Sequence, residues 1–431
     1  MKRKSILVCI FILLTFVLMS CTNSKNVSIK TYEFFENKLV ILKKGDVYKI
    51  NYEDLVTKKF SYEIEEYNYV LGNGREEVGS DILFEDDGRY EPNIKLYGDS
   101  KCLELSNDVI TAKGLGRVTV NILIKMKRYS SSSWRELLCC PILEVVVTDD
   151  SYSNFKRINK EEDFNQLNNS SDLFLINHSL DLKGSTEGIN FSGVLINPYN
   201  YFINLTLDED HKRLFYKLEY ACINNLRIEN VKIEMVKQSQ RVEVISFYLT
   251  NSILDQLFIS KIDNANNSYI INLFWYCKNS SLSNIEIHTD EGMETDTLYI
   301  SEYITSDVFF KKILFIITSP NIRKTGVTMD AQCTVSNSGY AERKKEDAFE
   351  VYDILFINTT SNKDIECGFQ YFAEKNNKYP FGKDKVFYSV GFKIIDDLFI
   401  YKTMEEVTSG ESLFTSGAFK FEKGKLPTLF Y

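Results

Sequence analysis

A six-residue hydrophobic pattern that recurs in the second half of the chain restricts the fold more than any other feature. Each copy reads apolar, two other residues, apolar, one other residue, apolar, and every apolar position is Ile, Leu, Phe or Val. Successive copies start 21, 31, 28, 28, 41 and 44 residues apart. The seven copies span 202–207, 223–228, 254–259, 282–287, 310–315, 351–356 and 395–400. A repeat of this length with one strand per copy is typical of a parallel β-solenoid, in which apolar side chains stack inside the coil.

The residue before the second apolar position of each copy is polar. These residues are Asn204, Asn225, Gln256, Asn284, Lys312, Asp353 and Asp397. We interpret them as a polar turn that every coil repeats. Because stacked amides can hydrogen-bond to one another along a solenoid, the four amide side chains are expected to form a structural ladder. The ladder residues are Asn204, Asn225, Gln256 and Asn284.

The residue before the last apolar position of each copy is expected to point outward. The outward residues are Thr206, Arg227, Phe258, Glu286, Leu314, Leu355 and Phe399. Only Arg227 and Glu286 are chargeable, whereas an inverting glycosidase needs two carboxylates about 6.5–9.5 Å apart, so we predict no catalytic residues. Six of the seven are taken as a candidate binding face: Arg227, Phe258, Glu286, Leu314, Leu355 and Phe399. The alternative is that the protein's own loops cover this largely apolar stripe.

The composition favours strands and argues against several functions. Phe and Tyr supply almost all of the 13% aromatic residues, and aromatic side chains favour strands, so we predict an all-β chain. The formal charge of −9 argues against nucleic acid as a partner, because a surface that binds nucleic acid is basic. The histidines are His178, His211 and His288, and none is followed by Glu, so the zinc-binding pattern His-Glu-x-x-His is absent. We expect neither a metal nor a cofactor.

The first 21 residues predict export and membrane anchoring. A basic start at 2–4 precedes an apolar run at 6–18 that is too short for a comfortable membrane span. The Leu-Met-Ser before Cys21 resembles a bacterial lipobox, which implies that 1–20 is a signal peptide and that Cys21 is lipidated. Residues 21–27 would then be a short polar tether. The alternative is an uncleaved N-terminal anchor helix.

Residues 28–150 are expected to fold as a small β-sandwich, because short alternating runs are separated by turn signals about every ten residues. Three segments resemble the group 2 type of bacterial Ig-like domain: 42–46, 110–118 and 145–147. They supply a Leu-x-x-Gly-Asp entry, a hairpin that begins Ile-Thr-Ala, and a Val-x-Val exit. The resemblance implies a spacer or adhesive module, which would stand as a stalk below the solenoid.

Residues 151–431 are predicted to be the solenoid. Acidic residues at 161–163 indicate a short helix, which we expect to cap the N-terminal end of the coil. The stretch 165–235 and the ending 419–429 resemble the repeat and the closing segment of β-helices of the GLUG and immunoglobulin-A-peptidase-associated types. The resemblance implies a right-handed parallel β-helix, as in pectin lyase-like folds.

These features together predict an extracytoplasmic, surface-exposed lipoprotein that is tethered to the cell membrane through lipid on Cys21. Its expected function is non-catalytic binding or adhesion, with a host or microbial surface protein or a glycan as the ligand. The first alternative is a β-helix carbohydrate-active enzyme, either a polysaccharide lyase or a glycosidase. The second alternative is a passive envelope spacer.

Overall fold

The computed structural model shows a chain that folds mainly into β-strands, arranged in two units. The described residues are 31–32, 36–52, 55, 62–71, 76–78, 94–96, 98–130, 133–139, 141–184, 188–234, 241–264, 268–306, 308–331, 349–368, 387–394, 399–414 and 418–429. The predicted signal peptide, 1–20, and the predicted tether, 21–27, lie outside them.

The first unit contains two main sheets that share one apolar core. Its described strands are β1 Thr31–Tyr32, β2 Lys38–Lys43, β3 Val47–Lys49, β4 Tyr62–Leu71, β5 Glu76–Val78, β6 Ile94–Leu96, β7 Leu103–Ser106, β8 Val109–Ala112, β9 Gly116–Ser130, β10 Ser133–Cys139 and β11 Ile142–Thr148. The larger sheet has the order β1-β10-β9-β11-β2 with β4 also on β9, and the smaller has the order β3-β8-β7. Val118 and Val120 of β9 pack in one core with Ile110 of β8.

The segment 110–118 does not form the expected hairpin. β8 pairs with β3 and β7, whereas β9 pairs with β4, β10 and β11, so the chain crosses from one sheet to the other between them. The turn is held by the backbone of Cys102, whose carbonyl accepts hydrogen bonds from the N–H groups of Lys113 and Gly114. The Ile-Thr-Ala-x-Gly pattern therefore marks a crossover here.

The second unit follows from residue 156. Its described strands are β12 Lys156–Ile158, β13 Leu173–Ile176, β14 Leu180–Lys183, β15 Asn190–Phe191, β16 Val194–Ile196, β17 Ile203–Asp208, β18 Phe215–Glu219, β19 Cys222–Glu234, β20 Arg241–Thr250, β21 Ile253–Asn264, β22 Ser268–Lys278, β23 Ser281–Thr289, β24 Glu294–Ser306, β25 Val308–Ile317, β26 Asn321–Ala331, β27 Phe349–Asn358, β28 Glu366–Cys367, β29 Phe387–Val390, β30 Lys393–Ile394, β31 Phe399–Lys402, β32 Phe419–Lys420 and β33 Thr428–Leu429. Two short helices, α1 Glu161–Phe164 and α2 Met404–Val407, accompany them.

Most strands of the second unit lie in two parallel sheets. The front sheet has the order β12-β13-β16-β19-β21-β23-β25-β27-β29-β31, with β14 and β17 attached, and the back sheet has the order β15-β18-β20-β22-β24-β26-β28-β30. The chain alternates between the two sheets, and each strand pairs with the strand one coil later. This topology is compatible with a parallel β-solenoid. The apolar side chains between the sheets form one continuous core, which also contains Phe164 of α1.

Five of the seven hydrophobic copies stack in register. Their first apolar residues pair successively along the front sheet, and the second and third apolar residues do the same. The stacked first residues are Ile223, Leu254, Leu282, Phe310 and Val351. The interior column predicted for these copies is therefore confirmed between β19 and β27.

The first and last copies do not belong to this column. Leu205 pairs with Val231, and the partner of Ile223 in the preceding coil is Leu195. At the other end, residues 395–398 lie outside the described residues, but Ile400 pairs with Tyr388 in the outward column and is 50% exposed. An apolar hexad matches many stretches of a chain this rich in apolar residues, so spacing alone placed these two copies wrongly.

The polar residue inside each stacked hexad adopts a left-handed backbone conformation. The φ values are 57° at Asn225, 61° at Gln256, 55° at Asn284, 57° at Lys312 and 53° at Asp353. A residue in this region bends the strand, and a β-branched or bulky apolar side chain is disfavoured there. The bend explains why this position is polar. It also explains why the inward-facing residues are three apart before the bend and two apart after it.

The first unit packs sideways onto the outer surface of the front sheet. Leu39, Ile41 and Val146 of the first unit contact an apolar cluster that includes Val194 and Cys222. The two units therefore bury a shared interface, and the expected stalk-like projection of the first unit is wrong.

A buried ion pair lies in this interface. Arg117 pairs with Glu144, and the two side chains are 7% and 5% exposed. The Arg117 guanidinium also donates to the carbonyl oxygens of Ser192 at 3.1 Å and Tyr220 at 3.2 Å. One arginine of the first unit thus satisfies carbonyl groups from two coils of the second.

We expect the left-handed bend to tolerate glycine better than a β-branched residue. At Gln256, substitution by Val should lower the free energy of unfolding by about 1–2 kcal/mol relative to substitution by Gly, because an L-residue with a branched Cβ is strained at positive φ. Denaturant unfolding of both variants measures the difference. Equal stability of Gln256→Val and Gln256→Gly would contradict the bend.

Removing Arg117 should destabilise the interface strongly. Arg117→Met leaves the Glu144 carboxylate buried without its cation, and breaking a buried pair from one side costs about 3–5 kcal/mol. The double variant Arg117→Met, Glu144→Leu is the control and should lose less, because no buried charge is left unpaired. Chemical unfolding of the three proteins gives the comparison, and a double variant less stable than the single one would refute the prediction.

Candidate functional site

The front sheet brings five of the six predicted face residues into one outward column. Arg227, Phe258, Glu286, Leu314 and Leu355 pair in register on β19, β21, β23, β25 and β27. Phe399 pairs with Phe387 and is outside the column, which continues through Tyr388 and Ile400.

The C-terminal segment covers the upper half of this column. We name residues 404–414 and 418–429 the C-terminal strap. Leu314 and Leu355 are fully buried, and they share an apolar cluster with Phe414 and Phe419 of the strap. A ligand therefore cannot reach these two leucines. For this part of the stripe the alternative prediction holds, in which the protein's own chain covers the apolar residues.

Glu286 holds the strap in place and is itself buried. The residue is 3% exposed, and its Oε2 accepts a hydrogen bond from the backbone N–H of Leu429 at 3.2 Å. Its Oε1 lies 2.7 Å from Nε2 of His288. The expectation that Glu286 is an exposed part of the binding face is therefore wrong.

The lower end of the column keeps a small open surface. The Arg227 guanidinium lies 4.7 Å from the centroid of the Phe258 ring, a cation–π contact. The ring of His288 lies 5.7 Å from that of Phe258. Both Arg227 and Phe258 are half-buried, so little of the predicted face remains for a ligand.

The predicted ladder residues occupy two different places. Asn225, Gln256 and Asn284 share the column of left-handed bends, where Asn225 Nδ2 donates to the carbonyl oxygen of Asn197 at 2.6 Å. Asn204 lies outside that column. Its Nδ2 donates to Asp181 Oδ1 at 2.6 Å, and its Oδ1 accepts from Asn230 Nδ2 at 2.7 Å. These bonds link three neighbouring strands. Asn284 takes part in a second such set on β19, β21 and β23, because its Nδ2 and that of Asn224 both donate to the Asp255 carboxylate.

A larger partly exposed surface lies on the back sheet. We name it the aromatic corner. Its residues are Tyr216, Phe247, Tyr248, Trp275, Tyr276 and Tyr303. Tyr248, Tyr276 and Tyr303 pair in register on β20, β22 and β24, so the corner crosses several coils.

The rings of the aromatic corner pack against one another in two orientations. Phe247 stacks on Tyr216 with 5.6 Å between ring centroids and on Trp275 with 4.3 Å, and the interplanar angles are 5° and 10°. Tyr248 stands almost perpendicular to both Phe247 and Trp275. The guanidinium of Arg213 lies 4.7 Å from the Phe247 centroid. Each ring is therefore fixed by its neighbours.

Two buried carboxylates lie on the same sheet. Glu243 is 1% exposed, and its Oε2 accepts hydrogen bonds from Nε and Nη2 of Arg213 at 3.1 and 2.8 Å. Glu302 is 2% exposed, and its Oε2 lies 2.7 Å from Nε of Arg241. Burial raises the pKa of both carboxyl groups above the ordinary glutamate value, although the arginines oppose the shift. The two carboxylates are therefore ion-paired, and Arg213 links Glu243 to Phe247 of the aromatic corner.

Asn272 lies on the strand between those of the two carboxylates. It pairs directly with Glu243 on the neighbouring strand, and its Nδ2 donates to Glu302 Oε2 at 3.2 Å. The side chain is fully buried, yet Asn272 Oδ1 has no hydrogen-bond donor. An unsatisfied buried acceptor is uncommon in folded proteins and costs about 1–3 kcal/mol.

Sequence reasoning missed the aromatic corner and the carboxylates beneath it. The seven hexads that predict the outward column lie outside the back-sheet strands, although β20 contains a further match at 244–249. A signal was nevertheless present, because Phe-Tyr at 247–248 and Trp-Tyr at 275–276 lie 28 residues apart, which equals one coil. A search for aromatic pairs at the repeat spacing would have found it.

Two other predictions concern features that the described residues only partly cover. Cys21, the predicted lipidation site, lies outside them. In the described ranges, no helix is long and apolar enough to cross a membrane. Within the same ranges, no group of three or more His, Cys, Asp or Glu side chains is placed to hold a metal ion.

Comparison with known proteins gives no relative. No family model, no curated protein and no solved structure matches the chain. The resemblances to bacterial Ig-like domains and to GLUG-type β-helices therefore rest on the motif residues alone.

The C-terminal strap should be removable by one core substitution. Phe419→Ala should cost about 3–5 kcal/mol of unfolding free energy, because Phe419 is buried in the cluster that covers Leu314 and Leu355. Binding of the dye ANS should rise as the apolar column is exposed. Lys420→Ala, at the exposed neighbouring position, is the matched control and should change neither quantity. Unchanged dye binding by Phe419→Ala would show that the strap does not depend on this residue.

Proposed function

We propose that this chain is a lipid-anchored surface protein that binds a glycan through the aromatic corner without cleaving it. Lipidation at Cys21 and an extracytoplasmic location are proposed from the basic, apolar and Leu-Met-Ser-Cys order of the N-terminus. The observation that carries the ligand part is the aromatic corner. It combines six partly exposed aromatic residues with two arginine–glutamate pairs.

We also propose the finer architecture that the sequence predicts. The first unit would be an Ig-like sandwich of the group 2 type, and the second a right-handed parallel β-helix. The shared core of β8 and β9 supports the first assignment, and the alternation of strands between the front and back sheets supports the second. In this arrangement the Ig-like unit would brace the helix side-on and leave the back sheet free.

A glycan fits the chemistry of the corner better than an apolar protein surface. A sugar ring presents C–H groups on its faces and hydroxyl groups at its rim, so its ligand site needs aromatic rings with polar groups close by. Tyr and Trp rings have this mixed character, with an apolar body and a polar tip. Arg213 lies directly against Phe247 and adds donors beside the rings. A purely apolar partner would leave these polar groups to be desolvated without compensation.

Binding is favoured over cleavage by the state of the two carboxylates. A glycosidase needs a carboxylate that reaches the glycosidic oxygen and a second that reaches the anomeric carbon or its water. Glu243 and Glu302 are almost fully buried, and each is held by an arginine. A buried, arginine-paired carboxylate is suited to fixing the surface above it.

The test is a glycan panel applied to the full mature chain, with retention and newly formed chain ends measured together. We expect retention of at least one glycan with no new reducing or unsaturated ends. The double variant Tyr248→Ala, Tyr276→Ala should weaken that binding about tenfold or more, because tyrosines at the centre of an interface often contribute most of the binding energy.

The matched control is Phe258→Ala on the front sheet, where the sequence had placed the ligand. It removes a partly exposed aromatic residue of similar size and should leave glycan retention unchanged. If only Phe258→Ala lost binding, the ligand site would be the front-sheet column. Release of new chain ends would favour the enzyme, and no retention of any glycan would favour a protein ligand or a passive spacer.

A further inference from the structure

One buried hydrogen-bond acceptor near the aromatic corner, Asn272 Oδ1, has no donor. Asn272 donates its amide N–H to Glu302, and its buried Oδ1 has no hydrogen-bond donor. Glu243 is the residue paired directly with Asn272 on that strand. Residues paired in register on parallel strands lie about 4.8 Å apart, so their side chains are neighbours.

The two side chains project from the same face of the sheet. Arg241 is on the strand of Glu243, two residues before it, and Arg241 reaches Glu302 on the outer side. Val242 and Val244 alternate with them and lie in the interior core. Because side chains two apart on a strand share a face, Glu243 points outward with Arg241 and lies beside Asn272. A protonated Glu243 carboxyl group could therefore donate a hydrogen bond to Asn272 Oδ1.

We propose that Glu243 takes up a proton and donates it to Asn272 Oδ1, which completes a hydrogen-bonded relay from Arg213 through Glu243, Asn272 and Glu302 to Arg241. The proton comes from solvent and stays covalently bound to Glu243. Its Oε2 already accepts both hydrogen bonds from Arg213, so Oε1 carries the proton. No other bond changes.

The charges around Glu243 set how readily it takes up this proton. Arg213, Arg241 and Lys212 favour the carboxylate, whereas burial favours the neutral acid and is the largest influence, so the pKa of Glu243 is raised. The nearby charge of Glu302 favours protonation as well, since two buried carboxylates repel each other. Tyr299, one strand beyond Asn272, is buried and stays neutral because burial raises its pKa.

Protonation would change the surface above the relay. The neutral acid no longer offsets the charge of Arg213, whose guanidinium lies against Phe247 at the aromatic corner. The corner then gains one net positive charge at this end. We infer that the relay is an acid-sensing device beneath the proposed ligand face, and its existence does not depend on the identity of the ligand.

The experiment follows Trp275 by fluorescence as the pH is lowered, without any ligand. The chain has two tryptophans, so the Trp134→Phe background leaves Trp275 as the single reporter. Trp275 stacks on Phe247, which contacts Arg213. We expect a transition with its midpoint above the ordinary glutamate value. Glu243→Gln should abolish the transition and hold the acid-type signal at neutral pH, because the amide supplies the missing donor.

Two further variants make the assignment specific. Glu302→Gln should keep the transition, since Glu243, the carboxyl group proposed to take up the proton, is unchanged in this variant. In that background, Asn272→Leu should lower the midpoint by about one pH unit, because the protonated acid loses its acceptor, and a hydrogen bond of about 1.4 kcal/mol corresponds to one unit. A transition that survives Glu243→Gln, or a midpoint that Asn272→Leu leaves unchanged, would overturn the proposal.

Unfolding measurements provide a second readout with a fixed sign. A carboxyl group with a raised pKa in the folded state contributes stability that is fully present below its unfolded pKa and is lost as the pH rises through its folded pKa. The unfolding free energy of Glu243→Gln minus that of the parent should therefore fall on acidification, because the parent gains stability as Glu243 is protonated. A constant difference across the whole pH range would count against proton uptake by Glu243.

Discussion

The in-register stacking of apolar hexads along the front sheet is the constraint on which the second unit depends. Five copies place Ile, Leu, Phe or Val in three continuous interior columns, from Ile223 to Phe356. A shift by one residue would turn every one of these side chains to the outside. The left-handed residue inside each hexad fixes this register further, because it bends every strand at the same level. The outward residues between these interior columns, from Arg227 to Leu355, are aligned by the same register.

The outward columns of the front sheet are mostly covered by the two ends of the chain. The first unit packs on Val194, Cys222 and their neighbours, and the C-terminal strap packs on Leu314 and Leu355. Apolar residues on the outside of a coil would otherwise form a long exposed patch, which soluble proteins rarely leave open. Glu286 and Arg117 provide the specific polar contacts that hold the two covers. The partly exposed aromatic surface of the second unit therefore lies on the back sheet, at the aromatic corner.

The sequence was sufficient for features that repeat locally and insufficient for contacts between distant segments. The interior column from Ile223 to Phe356 could be read from spacing, because each coil needs its own apolar residues. Ile400 fits the same spacing but not the register, since β29 lies next to β27 and Ile400 pairs with the outward Tyr388. The burial of Glu286 depends on Leu429, 143 residues away, and no local pattern encodes that contact. The pairing of Glu243 with Asn272 likewise follows from the register of β20 and β22.

The solenoid geometry also explains why the proposed site has an aromatic surface over buried charges. Neighbouring strands force side chains of one column to about 4.8 Å from each other, so aromatic residues must stack and carboxylates must find cations. Phe247 and Trp275 stack on each other. Arg241 reaches from β20 to β24 and supplies the cation for Glu302. Side chains fixed in this way lose little further freedom when a ligand binds, which lowers the entropic cost of association. A rigid surface of this kind suits a ligand that is itself extended and repetitive, because each coil offers the next contact at a constant distance.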